Sequence, residues 1–273
     1  MTRSTRSQRQ LEHLRGTFVE ALGQASDSVL RLRPQDYARP AGLPGWDVRL
    51  LLGLGLWQLT EMGHQLERPS VTRPVTLERY AALQLASMRR RREQAADIAD
   101  GDAGPHLVEL LAARADEVAA AVRDSSLPPM VDTGAGQLSL VDYLRVHVTE
   151  VVVFIDDLQR VLAASGVDAP APGRGPTATA VRALADVLAV RVPGQAIEVR
   201  VPPHAAVQIG DPTGPVTAPR HTRGTPPAVI EMAPLAFLRL ASGRMSWDEA
   251  TSGHEVQASG LRADLSPVLP LVP

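Results

Sequence analysis

Tyr143-Leu-Arg-Val-His-Val-Thr-Glu-Val-Val-Val-Phe-Ile-Asp-Asp-Leu158 forms the middle of a long predicted helix. Ser139 with Asp142 three residues later resembles a capping box in its Asp variant and opens that helix, which should run to about Ala164. Within it His147 stands one turn before Glu150 on the same face, and Phe154 one turn after. The apolar run Val151–Ile155 with its neighbours is far too short to span a bilayer. This is a helix of a globular core.

Working back from it, the first 165 residues read as helices with short connections, which means an antiparallel bundle. Leu11, Leu14, Phe18, Leu22 and Val29 form one apolar stripe. Asp47 caps a second helix running to about Glu67. Thr76 opens a third through the run Arg89–Arg92, ended by the breaker Gly101-Asp102-Ala103-Gly104-Pro105. Leu107, Leu110, Leu111, Val118 and Val122 mark a fourth segment. The four successive arginines point around more than a full turn without interleaved aromatics, the pattern of a solvated helix face.

Working forward, residues 166–176 form a Pro/Gly-rich linker, and the texture then changes over residues 177–273. Ile197-Glu-Val-Arg-Val201 alternates as a strand, and Val207–Ile209, Val229–Met232 and Glu255–Ser259 are further strand candidates. Helices are expected over Thr177–Val190, from Pro234 to Gly243, and after Ser246 with Glu249 three residues on. The fold class is therefore a helical bundle over residues 1–165 followed by a small α/β domain.

Composition narrows the function classes. A formal net charge of −2 argues against a nucleic-acid coat, and no membrane insertion is expected. With no cysteine, the chain can form no disulfide, thiolate cluster or cysteine nucleophile. The N-terminus carries positive charge without an apolar stretch, so a cytoplasmic location is expected. Phosphate-loop, nucleophile-elbow and HExxH signatures are missing.

Pro44-Gly-Trp-Asp-Val-Arg-Leu-Leu-Leu-Gly-Leu54 and the segment Tyr143–Leu158 together resemble the mycothiol-dependent maleylpyruvate isomerase family, whose metal-binding domain is a DinB-like four-helix bundle. The resemblance implies a zinc site of two histidines and a glutamate, its fourth position open to a thiol or substrate. Carried over, the tryptophan is Trp46, the glutamate Glu150 and the Asp-Leu pair Asp157-Leu158. The two histidine positions hold Leu54 and Phe154, so no bound metal is expected. Glu150, the remaining candidate catalytic group, then needs a donor or a proton if it is buried. A rebuilt site from His147 and Glu150 with Glu61 or His64 stays open, as does the plainer reading of these histidines as ordinary polar residues. Gly53 and Gly55 flank Leu54, marking either close backbone approach at a cavity or tight helix packing.

Pro193–Gln208 and Pro219-Arg-His-Thr-Arg-Gly-Thr-Pro-Pro227 resemble the sterol-carrier-like C-terminal domain of actinobacterial members of the same group. The resemblance implies an apolar cleft for an acyl or other greasy ligand. Arg220, His221, Arg223 and Thr225 either bind a carboxylate or phosphate on that ligand or form a rigid connection paired with acids such as Glu231. The leading expectation is a non-catalytic or weakly catalytic binding protein for a small apolar or amphipathic ligand, with no cofactor. The rival is a mycothiol- and zinc-dependent isomerase or thiol transferase working through a rebuilt site. A third is an interaction module without a small ligand.

Overall fold

A computed structural model describes residues 3–68, 71–101, 104–214 and 228–273. The chain divides into two compact units, one of residues 1–76 with 86–176 and one of residues 77–85 with 177–273. Among the described residues no helix is long and apolar enough to cross a membrane.

The first unit is built on four helices: α1 (Arg3–Val29), α2 (Val48–Glu67), α5 (Pro105–Arg123) and α6 (Leu140–Ala164). Helix α1 packs on α5 and α6, and α2 packs on α5 and, less extensively, on α6. The expected stripe of α1 holds from Leu14 on: Leu14, Phe18, Leu22 and Val29 are at most 7% exposed, while Leu11 is half-buried. Asp47 caps α2 by accepting from the Leu50 amide at 2.8 Å, and Ser139 caps α6 by accepting from the Asp142 amide at 3.1 Å. These bonds satisfy amides with no partner inside the helix and set where each helix starts.

The arginine-run helix departs from expectation. It breaks at Ser87 into α3 (Leu77–Ala86) and α4 (Met88–Asp100). Helix α4 packs against α2, where Gly53 meets it so closely that an added Cβ would stand 2.4 Å from the Ala95 carbonyl oxygen. Residues 77–85 instead cluster with the second unit, with Tyr80 and Ala81 buried. A second departure is a hairpin before α6, with β1 (Met130–Asp132) antiparallel to β2 (Gln137–Ser139). Its turn uses Gly134 at φ 76° and is held by Asp132, which accepts from the Gly134 amide at 2.8 Å.

In the second unit, α7 (Arg174–Arg191) precedes a four-stranded sheet in the order β4-β3-β5-β6. The strands are β3 (Ile197–Val201), β4 (Ala205–Ile209), β5 (Ala228–Met232) and β6 (Val256–Ser259). The pair β3–β5 is parallel and the other two pairs are antiparallel. Alternation puts Ile197, Val199, Val201, Ala228, Ile230 and Met232 on the buried face. Helices α8 (Pro234–Ala241) and α9 (Trp247–Ser252) follow β5, and the Ser246/Glu249 capping box of α9 forms as expected. Helix α7 begins three residues earlier than its sequence reading, inside the stretch read as linker.

Candidate functional site

Helix α6 presents Tyr143, His147, Glu150 and Phe154 at helical spacing toward the bundle interior, a face set by their three- and four-residue steps. Glu150 sits at the middle of this face with 16% of its side chain exposed. One carboxylate oxygen, Oε1, accepts from Arg91 Nη2 of α4 at 2.7 Å. The other, Oε2, lies 2.7 Å from His147 Nδ1. Burial by itself would push this carboxyl up, but the Arg91 charge, then His147, and the hydrogen bonds from both hold it at about 2. Glu150 is therefore an ionised acceptor, so the hydrogen between it and His147 resides on Nδ1.

Arg91 corrects the reading of the arginine run as a solvated face. Its side chain is only 4% exposed, and its guanidinium also lies 5.6 Å from the centre of the Trp57 ring. The neighbouring Arg92 donates to the Gly45 carbonyl at 2.8 Å and stands over Trp46 at 5.7 Å, whereas Arg89 is exposed beside Glu93. A signal for this was present in the sequence. Arg91, Ala95 and Ala99 recur at four-residue steps and form the buried stripe of α4.

Beside the ion pair lies a partly open cavity of about 30 Å³, lined by Phe18, Gly55, Gln58, Leu59, Met62, Leu111, His147, Glu150 and Phe154 among others. Phe154, 8% exposed, turns its ring toward Gly55, where an added Cβ would stand 3.2 Å from the ring. Gly55 thus lines a cavity with side chains, not backbone, against it, whereas Gly53 sits at a tight helix–helix contact. Leu54 is half-buried and is not part of the cavity lining. His147 Nε2 is buried and has no hydrogen-bond partner among the described residues, a condition that costs about 1–3 kcal/mol when nothing fills it.

The other candidates fall elsewhere. Glu61 and His64 face away from the cavity on α2 and pair loosely with each other at 3.9 Å, with side chains 39% and 62% exposed. They are not brought to Glu150. Asp157 is 1% exposed and pairs with Arg160. Its carboxylate also presses on Gly42 in the loop before Trp46, where an added Cβ would meet Oδ2 at 2.6 Å. Arg220, His221, Arg223 and Thr225 lie outside the described residues.

A three-ligand zinc site does not fit these residues. Leu54 and Phe154 carry no donor atom, and both Glu150 oxygens are engaged. Among the described residues no group of three His, Asp or Glu gathers where one ion could be held.

Two family models match the chain. One, described as the mycothiol maleylpyruvate isomerase N-terminal domain, covers residues 19–159, more than half of the chain. The other, described as a bacterial SCP ortholog, covers residues 173–271. Among solved structures, the crystal structure of the mycothiol-dependent maleylpyruvate isomerase is similar, with a TM-score of 0.59 and 15% identity over 91% of this chain and 92% of that one. A histidine-to-alanine mutant of the mycothiol-dependent maleylpyruvate isomerase gives a TM-score of 0.58 at the same identity and coverage. At such identity the likeness is one of fold. No curated protein matches the chain.

Proposed function

From the premise that this chain belongs to the mycothiol maleylpyruvate isomerase N-terminal domain family and carries an SCP-like domain behind it, we propose that it is a non-catalytic or weakly catalytic member of that family. Its work is to hold a small apolar or acyl-type ligand in the SCP-like domain, in the cytoplasm, while the bundle serves as scaffold. The observation that carries the first half is the Arg91–Glu150–His147 arrangement. The one carboxylate left from the family's ligand set is neutralised by a guanidinium 2.7 Å away. A zinc ion entering there would have to displace that cation and find two further donors from Leu54 and Phe154, which have none.

The second half draws on the match over residues 173–271 and on the sheet, whose apolar face lies opposite Glu198, Arg200 and Glu231. An apolar ligand would have to enter the core on the face whose strands carry Val, Ile and Met, already buried to 3% exposure or less, because the opposite face carries ion pairs. The test has two arms on untagged protein. Plasma mass spectrometry should find substoichiometric zinc even after incubation with the metal. A panel of fatty acids, acyl thioesters and sterols should raise the melting temperature with at least one member. One zinc per chain would overturn the first half, and no shift with any of the panel would overturn the second.

A further inference from the structure

The first unit holds a second cavity, open to solvent and about 370 Å³ in volume, which shares no lining residue with the one beside Glu150. That volume suits a small ligand, whose pockets run to about 300–1,000 Å³. Trp46, Leu50 and Ala96 give the cavity apolar wall, and Asp47, Arg49, Arg92 and Asp100 give it charge.

Two of these charges are placed against the helices that carry them. Arg49 stands in the first turn of α2 and Asp100 in the last turn of α4, where the helix dipole favours the opposite signs. Neither has a tight partner. The Arg49 guanidinium is 3.8 Å from Asp47 Oδ2, beyond hydrogen-bonding distance, and Asp47 Oδ1 is already held by the Leu50 amide. Asp100 is exposed and has no hydrogen bond or ion pair among the described residues. Arg92 gives one N–H to the Gly45 carbonyl and stands over Trp46, which leaves it further donors and no carboxylate partner among the described residues. Both guanidinium groups therefore lie along Gly45–Asp47, whereas Asp100 is two turns of α4 beyond Arg92, about 12 Å along the helix axis. A simple anion drawn to the arginines would also face Asp47 and Asp100, and a simple cation drawn to Asp100 would face Arg49 and Arg92.

We propose that this cavity binds a small zwitterion of about dipeptide length. Its carboxylate accepts from Arg49 and Arg92, its ammonium donates to Asp100, and the apolar wall covers the atoms between. The site goes beyond the reading of the bundle as scaffold and is independent of the apolar ligand proposed for the SCP-like domain.

The probe is glycylglycine, compared with N-acetylglycine, which lacks the ammonium, and glycine N-methylamide, which lacks the carboxylate. Each is titrated by calorimetry into full-length protein at pH 7. Glycylglycine is expected to bind saturably and at least about tenfold tighter than either analogue. Arg49→Gln and Asp100→Asn should each erase that preference, and neither should lower the melting temperature, because each removes a charge that opposes its helix. No saturable binding of glycylglycine overturns the proposal, and so does N-acetylglycine binding as tightly, the mark of a plain anion site. Unchanged affinity in both variants places the binding elsewhere and overturns it too. A fall in melting temperature in either variant would show its charge to be structural, with the same consequence.

Discussion

Among the described residues, the helical unit buries Asp36, Arg91, Asp132, His147, Asp156 and Asp157, whereas the sheet-bearing unit buries two hydroxyl residues, Thr177 and Ser242, and the charged side chain of Asp211, 5% exposed and paired with Arg262. The hydroxyl of Ser242 satisfies itself on its own helix, donating to the Leu238 carbonyl at 2.7 Å. A buried charge needs a donor or an opposite charge, which Asp157 finds in Arg160 on its own helix and Glu150 of α6 finds in Arg91 of α4. The same contrast separates the sources of stability. The sheet-bearing unit rests mainly on apolar volume and strand register, with the buried Asp211 carboxylate held by Arg262. The helical unit depends more heavily on particular pairs, and therefore on pH.

The largest way to break this contrast is Arg91→Met. It strands the Glu150 carboxylate, and about 3–5 kcal/mol of helical-unit stability should be lost in urea unfolding. Pairing it with Glu150→Leu should return most of that loss, because a buried ion pair is replaceable by apolar groups of similar volume. If the single variant unfolds like the parent, the ion pair is not structural.

Acid should separate the units next. Glu150 is held at about 2 against an ordinary 4.5, so its stabilisation is complete above pH 4.5 and fades as the pH falls toward 2. The loss amounts to about 3 kcal/mol. Asp132, where amide hydrogen bonds from Val71, Gly134 and Thr72 outweigh burial and hold the carboxyl at about 2, fades in the same window. Trp46 and Trp57 report the helical unit and Trp247 the other, so Trp247→Phe protein isolates the first by fluorescence. Its urea midpoint should drop steeply between pH 4.5 and 2.5.

Gly53→Ala and Gly55→Ala sharpen the comparison within one helix. At Gly53 the obstacle is the Ala95 backbone oxygen at 2.4 Å, which cannot move without shifting α4, and about 1–3 kcal/mol should be lost. At Gly55 the obstacles are the ends of the Leu111 and Phe154 side chains at 3.0 and 3.2 Å, beside a cavity that can take them. Its cost should be smaller, and melting temperatures would show the order. The smallest effect belongs to His64→Ala. Its exposed pairing with Glu61 is worth less than about 1 kcal/mol, and the change should leave zinc content and stability untouched.

Local signals were legible wherever the physics is local. The caps at Asp47 and Ser139, the stripe of α1 and the alternation of β3 all depend on residues within a few positions of one another. The hairpin was missed although Gly134 and Gly136 flag its turn, because its strands are three residues each and show no periodicity. The break at Ser87 was missed because residues on both sides form helix equally well. What divides them is that residues 77–85 gather with the second unit while α4 packs on α2.

The sequence by itself determined two regions, a helical one and a mixed one, and that Leu54 and Phe154 cannot ligate a metal. Periodicity and the chemistry of a side chain are properties of the chain before it folds. Only the tertiary structure decided that Arg91 is the partner of Glu150. Residues 59 positions apart are brought to 2.7 Å by the packing of α4 beside the core, and that closeness alone makes an arginine from an exposed-looking run the charge that keeps Glu150 ionised.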